Sequence, residues 1–383
     1  MQQPLMNTKQ TKKNISSKGN ATRNVIPPKR VFVGMSGGVD SSLAAALLKK
    51  EGYEVTGVFI KVWQPDFLTC TWRAERLDAM RVAAHLNIPL LTWDFEQEYK
   101  RGVADYMIQE YKSGRTPNPD VMCNKEIKFG AFFRRAMEEG ADFVATGHYA
   151  QVVYDRRIGA YKMLAGVDKG KDQSYFLWTI GQEELSKTLF PVGKYKKSQV
   201  RKFAKDFNLP TAEKKDSQGI CFIGDLDMKD FLAHYMTEKI GEVIDEQGKK
   251  IGTHRGAYFY TLGERHGFTI TKKGSTDSAY YVIAKDILAN TITVAQAKST
   301  EQLLCTRTLV TLKDANFCSG KFPVKEKKYM AQVRYHGEQL ECKILELLDK
   351  SFSVEFSKPV LVASGQSVVL YDGSECIGGG IVE

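Results

Sequence analysis

The stretch Arg30-Val31-Phe32-Val33-Gly34-Met35-Ser36-Gly37-Gly38-Val39-Asp40-Ser41-Ser42 decides the fold of this chain. Its first six residues, apolar from Val31 onward, have the pattern of a short buried strand. Leu43, Ala44, Leu47 and Leu48 beyond it carry the spacing of a helix. The glycines between them let backbone N–H groups close on phosphate oxygens, and a helix start adds a favourable dipole. No Lys precedes the serines, so this is not a Walker A loop, and it is not GxGxxG either. The same residues also suit a plain turn in which Asp40 or Ser41 caps a helix. Placement between strand and helix favours phosphate binding.

Working outward, residues 53–62, 88–95 and 142–146 read as further strands, and 77–86, 99–111 and 124–139 as helices, the last closed by Gly140. Strands separated by helices imply an α/β, doubly wound parallel sheet. Near Gly241 the pattern changes. Helical periodicity thins, and short β-rich runs follow at 257–261, 280–284, 291–294, 328–335, 338–345 and 367–371. These predict a small β-rich central domain and then a C-terminal β-barrel domain.

The net charge of +10 is unevenly placed. Lys9, Lys12, Lys13, Lys18, Arg23, Lys29 and Arg30 put +7 into the first 30 residues, which hold no acid, leaving +3 for the rest. Residues 1–29 read as a disordered basic tail, able to brush a polyanion. Organellar targeting is the alternative, but no amphipathic apolar face accompanies the basic residues. No apolar run of the ~18 residues needed for a membrane span occurs, so no membrane is expected. Seven cysteines, an odd number in a long chain, argue against a secreted disulfide framework and for a reducing, cytoplasmic setting.

Two of these cysteines occupy unusual settings. Cys123 follows Pro117-Asn118-Pro119-Asp120-Val121-Met122, and Cys221 lies in Asp216-Ser217-Gln218-Gly219-Ile220-Cys221-Phe222. Neither has a CxxC partner. Cys123 is expected at the start of the helix from Asn124, near Lys125 and Lys128, where the dipole would favour a thiolate. Cys221 is flanked by Lys214, Lys215 and Asp216, a basic loop suited to a reactive thiol. A small buried structural cysteine is the competing reading of each, and it is the one adopted for Cys305, Cys318, Cys342 and Cys376.

The string Gly34–Ser42 resembles the loop of the ATP pyrophosphatases, which split ATP between its α and β phosphates and adenylate a substrate oxygen. Further strings resemble one branch of them, the tRNA-specific 2-thiouridylases. They are Gly114-Arg115-Thr116-Pro117-Asn118-Pro119-Asp120, Cys123-Asn124-Lys125-Glu126-Ile127-Lys128-Phe129, Ala145-Thr146-Gly147-His148-Tyr149, and Lys171-Asp172-Gln173-Ser174-Tyr175-Phe176-Leu177. Lys215 to Gly224, Tyr260-Thr261-Leu262-Gly263-Glu264-Arg265 and Gly378-Gly379-Gly380-Ile381 complete the set, so the resemblance spans roughly 30–383. Glu264 stands where Gln is usual, and the segment around Cys70 is shorter and carries Trp72.

The resemblance implies an ATP-pyrophosphatase catalytic domain at 30–228, a small central α+β domain at 229–295 and a C-terminal barrel at 296–383. It implies ATP with magnesium as cofactor, without a tightly bound prosthetic group. Gly34, Met35, Ser36, Gly37, Gly38, Val39, Asp40, Ser41, Ile60 and Gly147 would bind ATP. Cys123 would be nucleophile and resolving thiol, Cys221 the persulfide carrier, and the two would form a transient disulfide. Asp120 would act as general base or position the base ring. Asn118, Pro119 and Asp120 would meet the target base, and Lys171, Asp172, Gln173, Arg334 and Tyr335 the rest of the tRNA. The activity implied is ATP-dependent 2-thiolation of the wobble uridine (position 34), with a persulfide-donating protein as second partner. Alternatives are an ATP pyrophosphatase that aminates its substrate, against which the two thiols argue, and a non-catalytic RNA-binding protein. No metal site is read from His254 and His266, which lack ligand spacing.

Overall fold

A computed structural model describes residues 27–68, 71–216, 227–271, 278–296, 307–348 and 351–383. The sequence expectations for residues 1–26, Cys70, Cys221 and Cys305 lie outside the described residues.

The first half supplies β1 (Arg30–Gly34), β2 (Glu54–Lys61), β3 (Leu90–Asp94), β4 (Phe143–Ala145), the hairpin β5 (Ala150–Asp155) and β6 (Ala160–Ala165), and β7 (Thr188–Leu189). Strands β1 to β4 and β7 form a parallel sheet in the order 3-2-1-4-7. Side chains alternate across it as strand geometry requires. Val31 and Val33 point into one core with Val39, Leu43, Val82 and Val200, while Phe32 points into another with Trp93, Val103, Ile127 and Phe132. Helices cover both faces, as the parallel pattern predicted. The chain builds outward from β1 through β2 and β3, then returns to β4 on the other side. The loops after β1 and β4 therefore flank the switch point where ligands bind in such sheets.

The central sheet is β8 (Gly241–Ile244), β9 (Lys250–His254), β10 (Thr269–Ile270), β11 (Tyr280–Asp286) and β12 (Thr291–Gln296), ordered 10-9-8-12-11. Residues 257–261, expected as a strand, instead enter a 3-10 turn at Ala257–Phe259, because Gly256 at φ 146 turns the chain out of extended geometry. Strands β13 (Arg307–Phe317), β14 (Lys328–Gln332), β15 (Gln339–Leu348), β16 (Ser351–Val360), β17 (Ser367–Asp372) and β18 (Glu375–Val382) form the expected barrel, antiparallel and closed by β13 on β18. The hairpin β5–β6 leaves the parallel sheet altogether. Through Leu164 and Met163 it pairs with Glu375 and Cys376 of β18, tying the first domain to the last.

One core lies wholly within the first domain and another within the barrel, but two more are shared between units. Phe231, Val243, Tyr260 and Val282 of the central region share a cluster with Trp93, Tyr99 and Phe132. Val121, Phe129, Trp178 and Tyr175 share another with Val369, Tyr371 and Cys376 of the barrel.

Candidate active site

The glycine-rich loop sits at the switch point. The Val39–Lys50 helix has Gly38 as its N-cap, with no side chain capping it, so the first-turn amides lack a side-chain acceptor. Uncapped amides at a helix start are an anion site. Ser42 Oγ donates to Gly38 O at 2.7 Å, and Ser41 and Ser36 hydroxyls lie 3.3 Å apart across the turn. Gly37 holds φ 72, and a Cβ there would come 2.4 Å from the carbonyl oxygen of Glu75. That residue is fixed by backbone sterics as well as by any ligand. Gly147, just past β4, packs on the same helix start, where a Cβ would lie 2.6 Å from Ser41 N. Met35 N donates to Val58 O, and Ile60, next to the end of β2, overlies Gly34. The expected ATP residues thus gather around one helix start.

Sequence reading missed what holds Asp40. Its carboxylate accepts from Tyr149 Oη at 2.8 Å and from Lys197 Nζ at 2.8 Å. Lys197 also pairs with Asp216 at 2.9 Å, and Asp216 in turn takes Lys171 at 3.0 Å and Arg201 at 2.7 Å. Burial raises the Asp216 carboxyl, but hydrogen bonds from Lys197 and Lys171 overcome it and hold the group down to about 2. Lys214 pairs with Asp78 at 2.7 Å, on the helix whose Glu75 faces Gly37. The basic stretch before Cys221 is therefore tied at two points to the nucleotide loop. Lys197 lies in an unremarkable Lys-rich run, Lys194 to Lys197, and no local signal marks it.

The helix carrying Cys123 starts earlier than expected. It begins at Pro119, with Asn118 as N-cap accepting from Val121 N at 3.2 Å, and runs on through a π-helical stretch at Cys123–Ala131. Asn-Pro-Asp is a cap, a proline at the first helical position and a first-turn acid, a start signal that should have set the boundary. Cys123 is consequently one turn in, its own N–H bonded to Asp120 O or Pro119 O, and its side chain buried at 5% exposure. The helix-start argument for its thiolate passes to Asp120. Lys125 is exposed and pairs with Glu126.

Asp120 and Lys128 lie two turns apart on this helix. Burial pushes the Asp120 carboxyl up, against the pull of Lys128. Lys128 Nζ sits 3.3 Å from His148 Nε2, and His148 Nδ1 sits 2.7 Å from Thr146 Oγ1. Burial first, then the Lys128 charge, hold His148 well below its ordinary value, so it is neutral. Its Nε2 then accepts from Lys128. Through this contact the cysteine helix meets the loop that bears Gly147.

The expected tRNA residues divide. Arg334 and Tyr335 are not on a strand, since β14 ends at Gln332 and they form the turn to β15, with Arg334 exposed. Tyr335 packs on Phe176 at 4.3 Å, and burial, then Asp172 and Asp120, push its hydroxyl up to about 12. It therefore faces the cysteine helix. Asp172 is occupied, accepting from Gly166 N at 2.8 Å and from Ser174 N and Oγ at 3.1 and 2.8 Å. Gln173 pairs with the Tyr149 backbone through both its own N–H and its side-chain oxygen. These two shape the loop.

A parallel sheet with an uncapped, glycine-rich helix start at its switch point defines a nucleotide-binding α/β protein, here extended by a second sheet and a barrel. The family models described as tRNA methyl transferase HUP domain, tRNA methyl transferase PRC-barrel domain and aminomethyltransferase beta-barrel domain match residues 29–225, 229–296 and 307–382. The tRNA-specific 2-thiouridylase MnmA of Geobacillus thermodenitrificans is 46% identical over 357 residues, covering 92% of this chain and 94% of that one. That of Streptococcus equi subsp. zooepidemicus is 45% identical over 361 residues, 92% and 95% of the two chains. The chain belongs to the tRNA-specific 2-thiouridylase family. Among solved structures, the U34-tRNA thiolase NcsA from Methanococcus maripaludis covers 56% of this chain and 66% of its own at 18% identity, with a TM-score of 0.33, too distant to bear on the site.

Proposed function

We propose that this chain is an ATP-dependent tRNA sulfurtransferase that thiolates C2 of the wobble uridine. Family membership supports the reaction class. The observation that carries the site is the contact of Lys128 with His148, because it joins the cysteine helix to the candidate nucleotide site. The C2 oxygen attacks the α-phosphorus of ATP on the loop 34–41, releasing pyrophosphate and leaving a uridine adenylate. The uncapped helix start holds phosphate, and magnesium enters on the ATP phosphates. Among the described residues no group of three or more His, Cys, Asp or Glu is arranged to cage a metal.

Sulfur arrives from a donor protein as a persulfide on Cys221. The Cys123 thiolate attacks the Cys221 sulfur and forms the Cys123–Cys221 disulfide. The released hydrosulfide then attacks C2 and expels AMP, and an external thiol reduces the disulfide afterwards. Asp120, whose carboxyl burial pushes up, exchanges the proton at the base. Asn118, Pro119 and Asp120 surround the base, while Arg334, Tyr335 and Lys171 contact the RNA. No described helix is long and apolar enough to cross a membrane, and a cytoplasmic setting suits both tRNA and reduced thiols.

The test is tRNA incubated with the protein, ATP and a persulfide donor, followed by nucleoside mass spectrometry. One AMP and one pyrophosphate should appear per 2-thiouridine. Cys123→Ser should accept labelled sulfur but deliver none, and Cys221→Ser should accept none. Incorporation of ammonia instead of sulfur, or no product at all, refutes the proposal.

A further inference from the structure

The string Tyr260–Arg265 belongs to the central region, far in sequence from both cysteines, and the reaction above leaves it without a role. Its position supplies one. The segment Gly114-Arg115-Thr116, two residues before the Asn118 cap of the cysteine helix, is gripped from three sides. Thr116 Oγ1 lies 3.2 Å from Thr261 Oγ1 of the central region. Thr116 N donates to Ser364 O of the barrel at 2.8 Å, and a Cβ on Gly365 would lie 3.0 Å from Thr116 N and O. Within the first domain, Arg115 bonds Glu110 through Nε at 2.7 Å. Gly114, at φ 73, packs so closely on Ile287 that a Cβ would come within 2.6 Å of it.

The turn that presents Thr261 is itself built rigidly. Thr261 N donates to Glu264 Oε2 at 3.0 Å, and Glu264 N donates back to Thr261 O at 3.1 Å. Glu264 pairs with Lys229, and Lys285 Nζ donates to Tyr260 O at 2.6 Å. Gly263 N and Glu264 O bond both sides of Val282 in β11. Such a framework holds the Thr261 hydroxyl in a defined place, as a positioning role demands.

We infer that Thr261 is a positioning residue: it latches Thr116 and so fixes where the Cys123 helix begins. The central domain then acts on the chemistry without touching substrate. Thr116 is buried at 8% exposure, so water replaces the lost partner poorly. Pro117 and Asn118 follow at once, leaving little chain to absorb a shift before the cap.

This inference rests on the thiolation reading for its kinetic arm, and a second arm is independent of it. In the full-length protein, Thr261→Val removes the hydroxyl at nearly constant shape, and Thr261→Ser restores it. Hydrogen exchange at the amides of Asn118 and of residues 120–124 should quicken about ten-fold in Thr261→Val, with β1 and β4 unchanged and Thr261→Ser close to wild type. Single-turnover thiolation at saturating ATP and tRNA should fall about ten-fold, while tRNA affinity and pyrophosphate release stay within about two-fold. Wild-type exchange at those amides in Thr261→Val overturns the latch. A parallel fall in tRNA affinity and pyrophosphate release overturns positioning in favour of general damage. A wild-type protein that makes no thiouridine refutes the function, and the exchange arm still decides the latch.

Discussion

Lys197 is the residue on which the nucleotide loop depends and which its sequence gave no reason to choose. It is largely buried and shared between Asp40 and Asp216, so Lys197→Met leaves Asp40 with Tyr149 alone, while Asp216 keeps Lys171 and Arg201. Breaking one partner of a partly buried pair costs about 1–3 kcal/mol. We expect a lower melting temperature and an ATP affinity reduced about ten-fold, with Lys197→Arg retaining most of both. Unchanged ATP binding in calorimetric titration sinks this role. Lys285 offers a pH test. Burial pushes its ammonium down to about 8, against the pull of Glu264. In the unfolded chain it releases its proton near ~10.4. Between these values the unfolded state binds more protons, so the contribution of Lys285 to stability grows as pH rises from 8 to ~10.4. The difference in urea midpoint between wild type and Lys285→Met should therefore shift in favour of wild type across that range. A difference constant with pH contradicts the burial of its charge.

At the scale of elements, the candidate site rests on two helix starts, and both can be broken singly. Asn118→Ala removes the cap of the cysteine helix at a cost of about 1 kcal/mol, and it should slow sulfur delivery more than pyrophosphate release. Gly37→Ala brings a Cβ against the Glu75 carbonyl at a positive φ. It should destabilise the fold by at least about 1 kcal/mol as well as abolish ATP binding; a fully stable variant would show that the loop relaxes. The local signals for these elements were strong. Residues 31–33 are apolar and buried, and the glycine-rich turn follows at once. Local signals failed where the deciding partner is remote. Residues 257–261 alternate like a strand but turn at Gly256, and 328–335 end their pairing at Gln332, opposite Gln339 where β15 begins. The pattern of β5 and β6 gave no hint that β6 pairs with β18, more than 200 residues away. Strand pairing of that kind is a tertiary choice that local propensity does not encode. The same holds for the Asp40–Lys197–Asp216 network, whose members are distant in sequence and whose central Lys197 is ordinary in its own surroundings.

On the scale of the whole molecule, the three sequence-level regions do not behave as separable beads. Helical residues Val121 and Phe129, on the same helix as Cys123, lie in one cluster with Val369, Tyr371 and Cys376 of the barrel. Tyr175 bonds Ser367 O at 3.0 Å and also reaches Asn118, so a barrel strand and the cysteine-helix cap share one hydroxyl. A first domain cut free of the barrel would expose Trp178, Tyr175 and Met163, all fully or almost fully buried in the intact chain. It would also leave β6 without the β18 partner that closes its outer edge. An unpaired strand beside a stripped aromatic face is a site for aggregation. Deleting residues 307–383 should thus abolish cooperative folding of what remains, and not merely weaken RNA binding. Calorimetry of the full chain should show the parallel-sheet domain and the barrel melting in one transition, whereas the truncated chain should give a broad, low-enthalpy melt and bind a hydrophobic dye. A truncated chain that is monomeric, melts sharply and binds ATP at full strength would prove the shared core dispensable. In that case the barrel's influence on Cys123 would have to run through RNA alone.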